Sequence, residues 1–203
     1  MKIRRSIAIA VLMLSAAAVP LRAQDQSKAD AKTDTSAKTE ADKPVTPAPP
    51  AAKPADVASP NAILAACYDV ISGPAGQKRD WDRFRSLFLP GARLIPSGAK
   101  KDKSGFFAQV VTPDEYAKFA DSYFEKNGFA EKEISQKSER FGNIMHVFST
   151  YASRHDAKDP EPFERGINSF QLFFDGSRWW IVTIYWEGET DDLKIPAEYL
   201  PAK

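Results

Sequence analysis

The sequence predicts an α+β domain, with three helices in its first half packed on the concave face of a strongly curved antiparallel sheet in its second. Three observations predict it. Apolar residues recur at helical spacing in three capped segments before Asn127-Gly128, and the period changes from 3.6 to 2 after Gly128. Asp175-Gly176 between two aromatic-rich runs is a strong hairpin signal.

Ser59-Pro60 reads as an N-cap followed by proline in the first helical position, and Ile63, Leu64, Cys67, Val70 and Ile71 form the apolar stripe up to Gly73-Pro74. A second short helix follows Asp80, with Trp81, Phe84, Leu87 and Phe88 on one stripe, and is expected to end at Pro90-Gly91. Leu94-Ile95 and Phe106 to Val111 suit short strands around the loop Ser97 to Gly105. Thr112-Pro113-Asp114-Glu115 is a capping box opening a third helix that carries Tyr116, Phe119, Tyr123 and Phe124. Strands follow at about Phe129 to Arg140, Asn143 to Arg154, Phe163 to Phe174 and Arg178 to Trp186, at spacings that allow antiparallel hairpins throughout.

The N-terminus has the three parts of a secretion signal: three positive charges in Met1 to Arg5, an apolar run from Ser6 to Val19, and small Ala23 before Gln24. The run is too short to span a bilayer, so cleavage after Ala23 leaves no membrane insertion and an exported, periplasmic or secreted, protein. Residues 24–58 contain no aromatic residue and no apolar periodicity, which predicts a disordered tether ahead of a domain over 59–203. Losing Lys2, Arg4, Arg5 and Arg22 takes the 28 basic residues to 24 against 27 acidic ones, so no basic excess points to nucleic acid. A single cysteine, Cys67, excludes an intramolecular disulfide and reads as a small buried apolar residue.

A two-residue turn at Asp175-Gly176 would place Leu172 opposite Trp179, Phe170 opposite Ile181, Asn168 opposite Thr183 and Gly166 opposite Tyr185 on an apolar face under the helices. The other face would pair Gln171 with Trp180 and Arg165 with Trp186, the latter as a cation–π contact. A row of tryptophans is not left bare, so this second face is expected to be covered, most simply by a second copy in a homodimer, or else by the domain's own loops. Glu131 and Glu133 share a strand face, which beside Lys132 and Lys137 reads as a solvated edge. His146 and His155 fall on opposite strand faces, which argues against a shared metal, and no catalytic motif or cofactor-binding loop is present.

Asp80-Trp81-Asp82-Arg83-Phe84, the strand Phe148-Ser149-Thr150-Tyr151, Arg165-Gly166-Ile167-Asn168-Ser169 and Gly176-Ser177-Arg178-Trp179-Trp180-Ile181-Val182 together resemble the nuclear-transport-factor-2-like superfamily over Asn61 to Leu200. The resemblance implies a cone with a pocket between the helices and the concave sheet, and dimerisation through the outer face. It places Asn168, Thr183, Tyr185 and Tyr151 as ligand-binding residues, and Arg165, Gln171, Trp180 and Trp186 on the dimer face. A fold hosts many activities. The reading favours a non-catalytic domain binding a small apolar or amphiphilic ligand, or a protein partner. The alternatives are an acid–base enzyme of isomerase, dehydratase or cyclase type, which needs a buried carboxyl or histidine with a shifted pKa, and a structural dimerisation module.

Overall fold

The computed structural model describes residues 48–202. The expected signal peptide and most of the expected tether lie outside the described residues. The tether's end does not: Pro54–Val57 forms a 3-10 turn, Val57 is buried against the core, and Asp56 accepts two hydrogen bonds from Arg83. The ordered domain therefore begins before Ser59, because an apolar side chain and a carboxylate of the supposed tether both find partners in the domain.

α1 (Pro60–Ile71) starts where Ser59 accepts from the Ala62 amide at 3.1 Å, and it buries Ile63, Leu64, Cys67, Val70 and Ile71. One side chain gathers the last carbonyl of α1 and those of the loop that follows. Arg79 donates to the carbonyls of Ile71, Gly73, Pro74 and Gln77 while its guanidinium lies 4.8 Å over the Phe124 ring. α2 (Trp81–Ser86) is capped by Asp80 and is shorter than expected. Phe88 already pairs with Ile181, so Pro90-Gly91 falls inside β1 (Phe88–Ala99) rather than ending a helix. A register shift between Phe88 and Arg93 absorbs the proline, and Gly91 supplies the φ of 87° that the irregularity requires. After β2 (Phe106–Ala108), the capping box between Thr112 and Glu115 opens α3 (Pro113–Phe124).

β3 (Ala130–Phe141), β4 (Ile144–Arg154), β5 (Glu164–Phe174) and β6 (Trp179–Gly188) form the expected antiparallel meander. The whole sheet has the order β2-β1-β6-β5-β4-β3, and β1 lies parallel to β6. The fold class is therefore α+β with a mixed sheet, not a purely antiparallel one. The parallel pair is possible because a long crossover, containing α3 and the rest of the meander, separates β1 from β6 in sequence.

Trp179, Ile181, Leu172, Phe170, Val147 and Tyr151 line the inner face and pack with α1, α2 and Phe124 of α3 into one core. The last hairpin departs from the expected register in two ways. Its turn has four residues, since the Asp175 carboxylate accepts from the Ser177 and Arg178 amides, so Phe174 faces Trp179. Val182 is then an extra residue between the pairs Leu172↔Ile181 and Gln171↔Thr183. From that bulge onward each β6 side chain points to the face opposite the one expected.

Candidate functional site

Glu131 and Glu133 are not on a solvated edge. β3 pairs with β4 so that Glu131 stands opposite Ser153 and Glu133 opposite Tyr151, on the inner face. The Ser153 hydroxyl donates to Glu131 at 2.6 Å, and the Ser149 hydroxyl donates to Glu133. Both serines are fully buried. The signal that could have found them is the run Ser149-Thr150-Tyr151-Ala152-Ser153, which sets the hydroxyls of Ser149, Tyr151 and Ser153 at period two on a face otherwise apolar.

The hydroxyls are directional. Because Ser149 gives its only proton to Glu133, Tyr68 must donate to Ser149 at 2.6 Å, and the Asn168 amide donates to the Tyr68 oxygen at 3.1 Å. A chain of hydrogen bonds thus runs from β5 through α1 to β4 and ends on a carboxylate of β3. Nearby, Tyr151 donates to Glu164 at 2.8 Å.

Burial sets the electrostatics. It pushes the Glu131 carboxyl up to about 7, the negative charge of Glu164 adds to this, and the Ser153 and Asn168 hydrogen bonds oppose it. Burial also raises Glu133 and Glu164, each held back by its hydroxyl donor, and raises the phenols of Tyr68, Tyr116 and Tyr151 and the Cys67 thiol. No lysine or arginine contributes to any of the three carboxyl shifts. The carboxyls are spread around the interior: among the described residues no three His, Cys, Asp or Glu side chains gather as metal ligands. Tyr116 and Trp186 close one wall, edge to face at 6.3 Å. Tyr116, Glu131, Glu164 and Trp186 are each partly buried by their neighbours.

Asn168 and Tyr151 point inward and are buried. Thr183 and Tyr185 do not join them. The Val182 bulge turns both outward, leaving Tyr185 46 % exposed, and brings Trp186 inside, opposite Asn168. Trp186 is therefore not on the outer face, and Arg165 meets Glu189 at 2.7 Å instead of the indole. Trp180 and Gln171 are on the outer face; Trp180 lies under the Arg178 guanidinium at 3.6 Å and donates to Asp175. His146 meets Ser169 at 3.0 Å and His155 stacks on Phe163 at 4.4 Å.

Part of the outer face is covered by the chain itself. The segment after Glu189 runs back over the sheet, where Thr150 donates to the Tyr199 carbonyl at 2.6 Å and the Tyr199 ring meets Phe148 at 5.3 Å. The segment buries Thr150 and partly covers Phe148 without a second copy. Between this segment and the sheet lies a pocket of about 270 Å³.

No family model matches the chain, and no curated protein sequence matches it. Solved structures similar to it include members of the superfamily that the sequence resembles. One is a nuclear-transport-factor-2-like protein of unknown function from Shewanella baltica, at 13 % identity over 64 % of this chain and 90 % of that one, with a TM-score of 0.43. Another is a superfamily protein from Salmonella enterica, at 15 % identity over 64 % of this chain and 86 % of that one, with a TM-score of 0.41. The association domain of C. elegans CaMKII is also similar, at 15 % identity over 62 % of this chain and 89 % of that one, with a TM-score of 0.43. These are likenesses of fold.

Proposed function

We propose that the domain binds a small molecule in its interior, between α3 and the inner sheet face, with Glu131 as the polar centre of the site. The observation that carries this reading is the Glu131 carboxyl, desolvated on the inner face and held by Ser153 with no cation opposite it. A carboxyl kept that way in a core is unfavourable unless it has work beyond packing. A few polar groups converging between apolar walls is the composition of a ligand site. Tyr116 and Trp186 supply the wall, and Asn168 and Tyr68 supply further polar contacts. The ligand is an apolar or amphiphilic molecule with a hydrogen-bond donor for Glu131. Amide NMR spectra recorded with a panel of such molecules test this: a binder should shift Tyr116, Glu131 and Trp186 and should bind about tenfold more weakly to Glu131→Gln, as for a lost hydrogen bond to a charged group. Binders that leave these signals and the Gln variant unaffected would refute it.

One observation favours catalysis as a second reading. A carboxyl titrating near 7 can both take and give a proton at neutral pH, which suits abstraction of a proton beside a carbonyl. Deuterium incorporation from solvent into carbonyl compounds, lost in Glu131→Gln, would support it. Incorporation unchanged in that variant would remove it.

We also propose that residues 1–23 direct export and that the mature chain starts at Gln24, the tether holding the domain away from a surface. N-terminal sequencing of the protein recovered outside the cytoplasm tests this, and a retained Met1 would contradict it. Self-association through the sheet would use the outer-face stretch around Gln171 and Trp180. A Trp180→Lys variant that sediments like its parent would remove that role.

A further inference from the structure

We propose a second small-molecule site on the opposite side of the sheet, under the C-terminal strap, whose ligand is a small apolar amine. The strap, residues 190–200, is anchored at both ends. At its root the Glu189 amide donates to the Arg165 carbonyl at 2.7 Å, and the Glu189 carboxylate accepts from Arg165 and, at 3.3 Å, from the Ile195 amide. At its far end Thr150 holds the Tyr199 carbonyl, and Lys137 meets Glu198 at 3.1 Å. Between these anchors the strap stands off the sheet and leaves a half-open pocket of about 270 Å³.

The floor of this space is Phe148 and Ile167, and the roof is Leu193, Ile195 and Pro196. Its volume is close to the lower end of ligand sites, roughly 300 Å³, which suits a molecule of one or two rings. The charge on its walls selects among such molecules. Of the ionisable groups lining it, Glu189 is neutralised by Arg165, and Lys194 lies 3.6 Å from Asp191. Glu187 enters no ion pair among the described residues, so the wall formed by β6 carries one uncompensated negative charge. Tyr185 is two residues away on the same strand face and exposes its ring. An ammonium group between the Glu187 carboxylate and the Tyr185 ring meets a charge and a π-face together, while its apolar body lies under Leu193 and Ile195.

The test is calorimetric titration of the full chain with 2-phenylethylamine, and with 2-phenylethanol as its uncharged counterpart. The expected result is one amine per chain whose binding depends on Glu187, counted apart from any that Glu131 holds: this component is at least tenfold weaker in Glu187→Gln and absent in Ile167→Trp, whose indole fills the floor. Leu193→Trp closes the same space from a half-exposed strap position, and should also abolish this component if the floor variant does not fold. Glu131→Gln should keep this component as the parent does, which separates this site from the interior one. No heat with the amine, equal affinity for the alcohol, a component that survives Leu193→Trp, or binding lost in Glu131→Gln and kept in Glu187→Gln would each overturn the proposal.

Discussion

Ser153 donates its hydroxyl to Glu131 at 2.6 Å across the β3–β4 ladder, and this contact orients a carboxyl that the rest of its surroundings disfavour as an anion. The largest influence on Glu131 is burial, which raises its pKa; the serine only moderates the effect. Glu131 therefore keeps its proton at pH values where a solvated glutamate has lost it.

A dependence of stability on pH follows. Glu131 has a folded-state pKa of about 7 against an ordinary value of 4.5, so the folded chain binds its proton more tightly than the unfolded chain. Stability must then fall as pH rises from about 4.5 to about 7, by on the order of 3 kcal/mol from this group, and remain reduced above that. Glu131→Gln keeps an acceptor for Ser153 and removes the charge. Urea unfolding should find it close to the parent at pH 5 and on the order of 3 kcal/mol more stable at pH 8.5. The same difference at both pH values would contradict the assignment.

Tyr68→Phe breaks the chain from Asn168 to Glu133 at its centre and leaves one N–H of the buried amide without its acceptor, at a cost of about 1–3 kcal/mol. Tyr185→Phe removes a hydroxyl from the outer face, with an effect within about 0.5 kcal/mol. Denaturant midpoints of the two variants test the register: equal effects would mean that the Val182 bulge is misplaced.

Arg79 closes the C-terminus of α1 by donating to four backbone carbonyls. Arg79→Met keeps an apolar contact with Phe124 and strands the Ile71 and Gln77 carbonyls, while Gly73 and Pro74 retain the Phe129 and Gln77 amides, so thermal unfolding should show a loss of about 2–3 kcal/mol. Arg79→Lys should recover little, because an ammonium cannot span the same fork of acceptors. Full recovery by lysine would show that only the charge matters.

Gly166 stands opposite Gly188 in the β5–β6 ladder. A methyl group there would stand 2.4 Å from the Glu187 carbonyl and 2.4 Å from the Tyr151 hydroxyl. Gly166→Ala should cost about 3 kcal/mol and displace Tyr151 from Glu164. A fully stable variant, with the tyrosine hydroxyl still bonded, would show that the strands have room to part.

The elements were legible where local chemistry decides them. Ser59-Pro60 and the Thr112–Glu115 box start helices within their own side chains' reach, and the period-two runs of the meander need no distant partner. The register of the last hairpin was not legible, because it depends on Asp175 capturing two amides and on Val182 being left over, neither of which is written in the apolar pattern. The interior carboxyls were hidden for a similar reason. Beside Lys132, Glu131 and Glu133 read as solvent-facing, and only pairing with Ser149 and Ser153 turns them into the core. Asn168 and Tyr151 lay before the bulge and kept the expected face; Thr183, Tyr185 and Trp186 lay after it and did not.

The most direct measurement is a carboxyl-carbon NMR titration of the full chain labelled at glutamate, with Glu131→Gln used to assign the resonance. The interior-site reading predicts that Glu131 titrates with a midpoint near 7, and that a bound ligand moves this midpoint. A midpoint near 4.5, the value of a solvated glutamate, would contradict it.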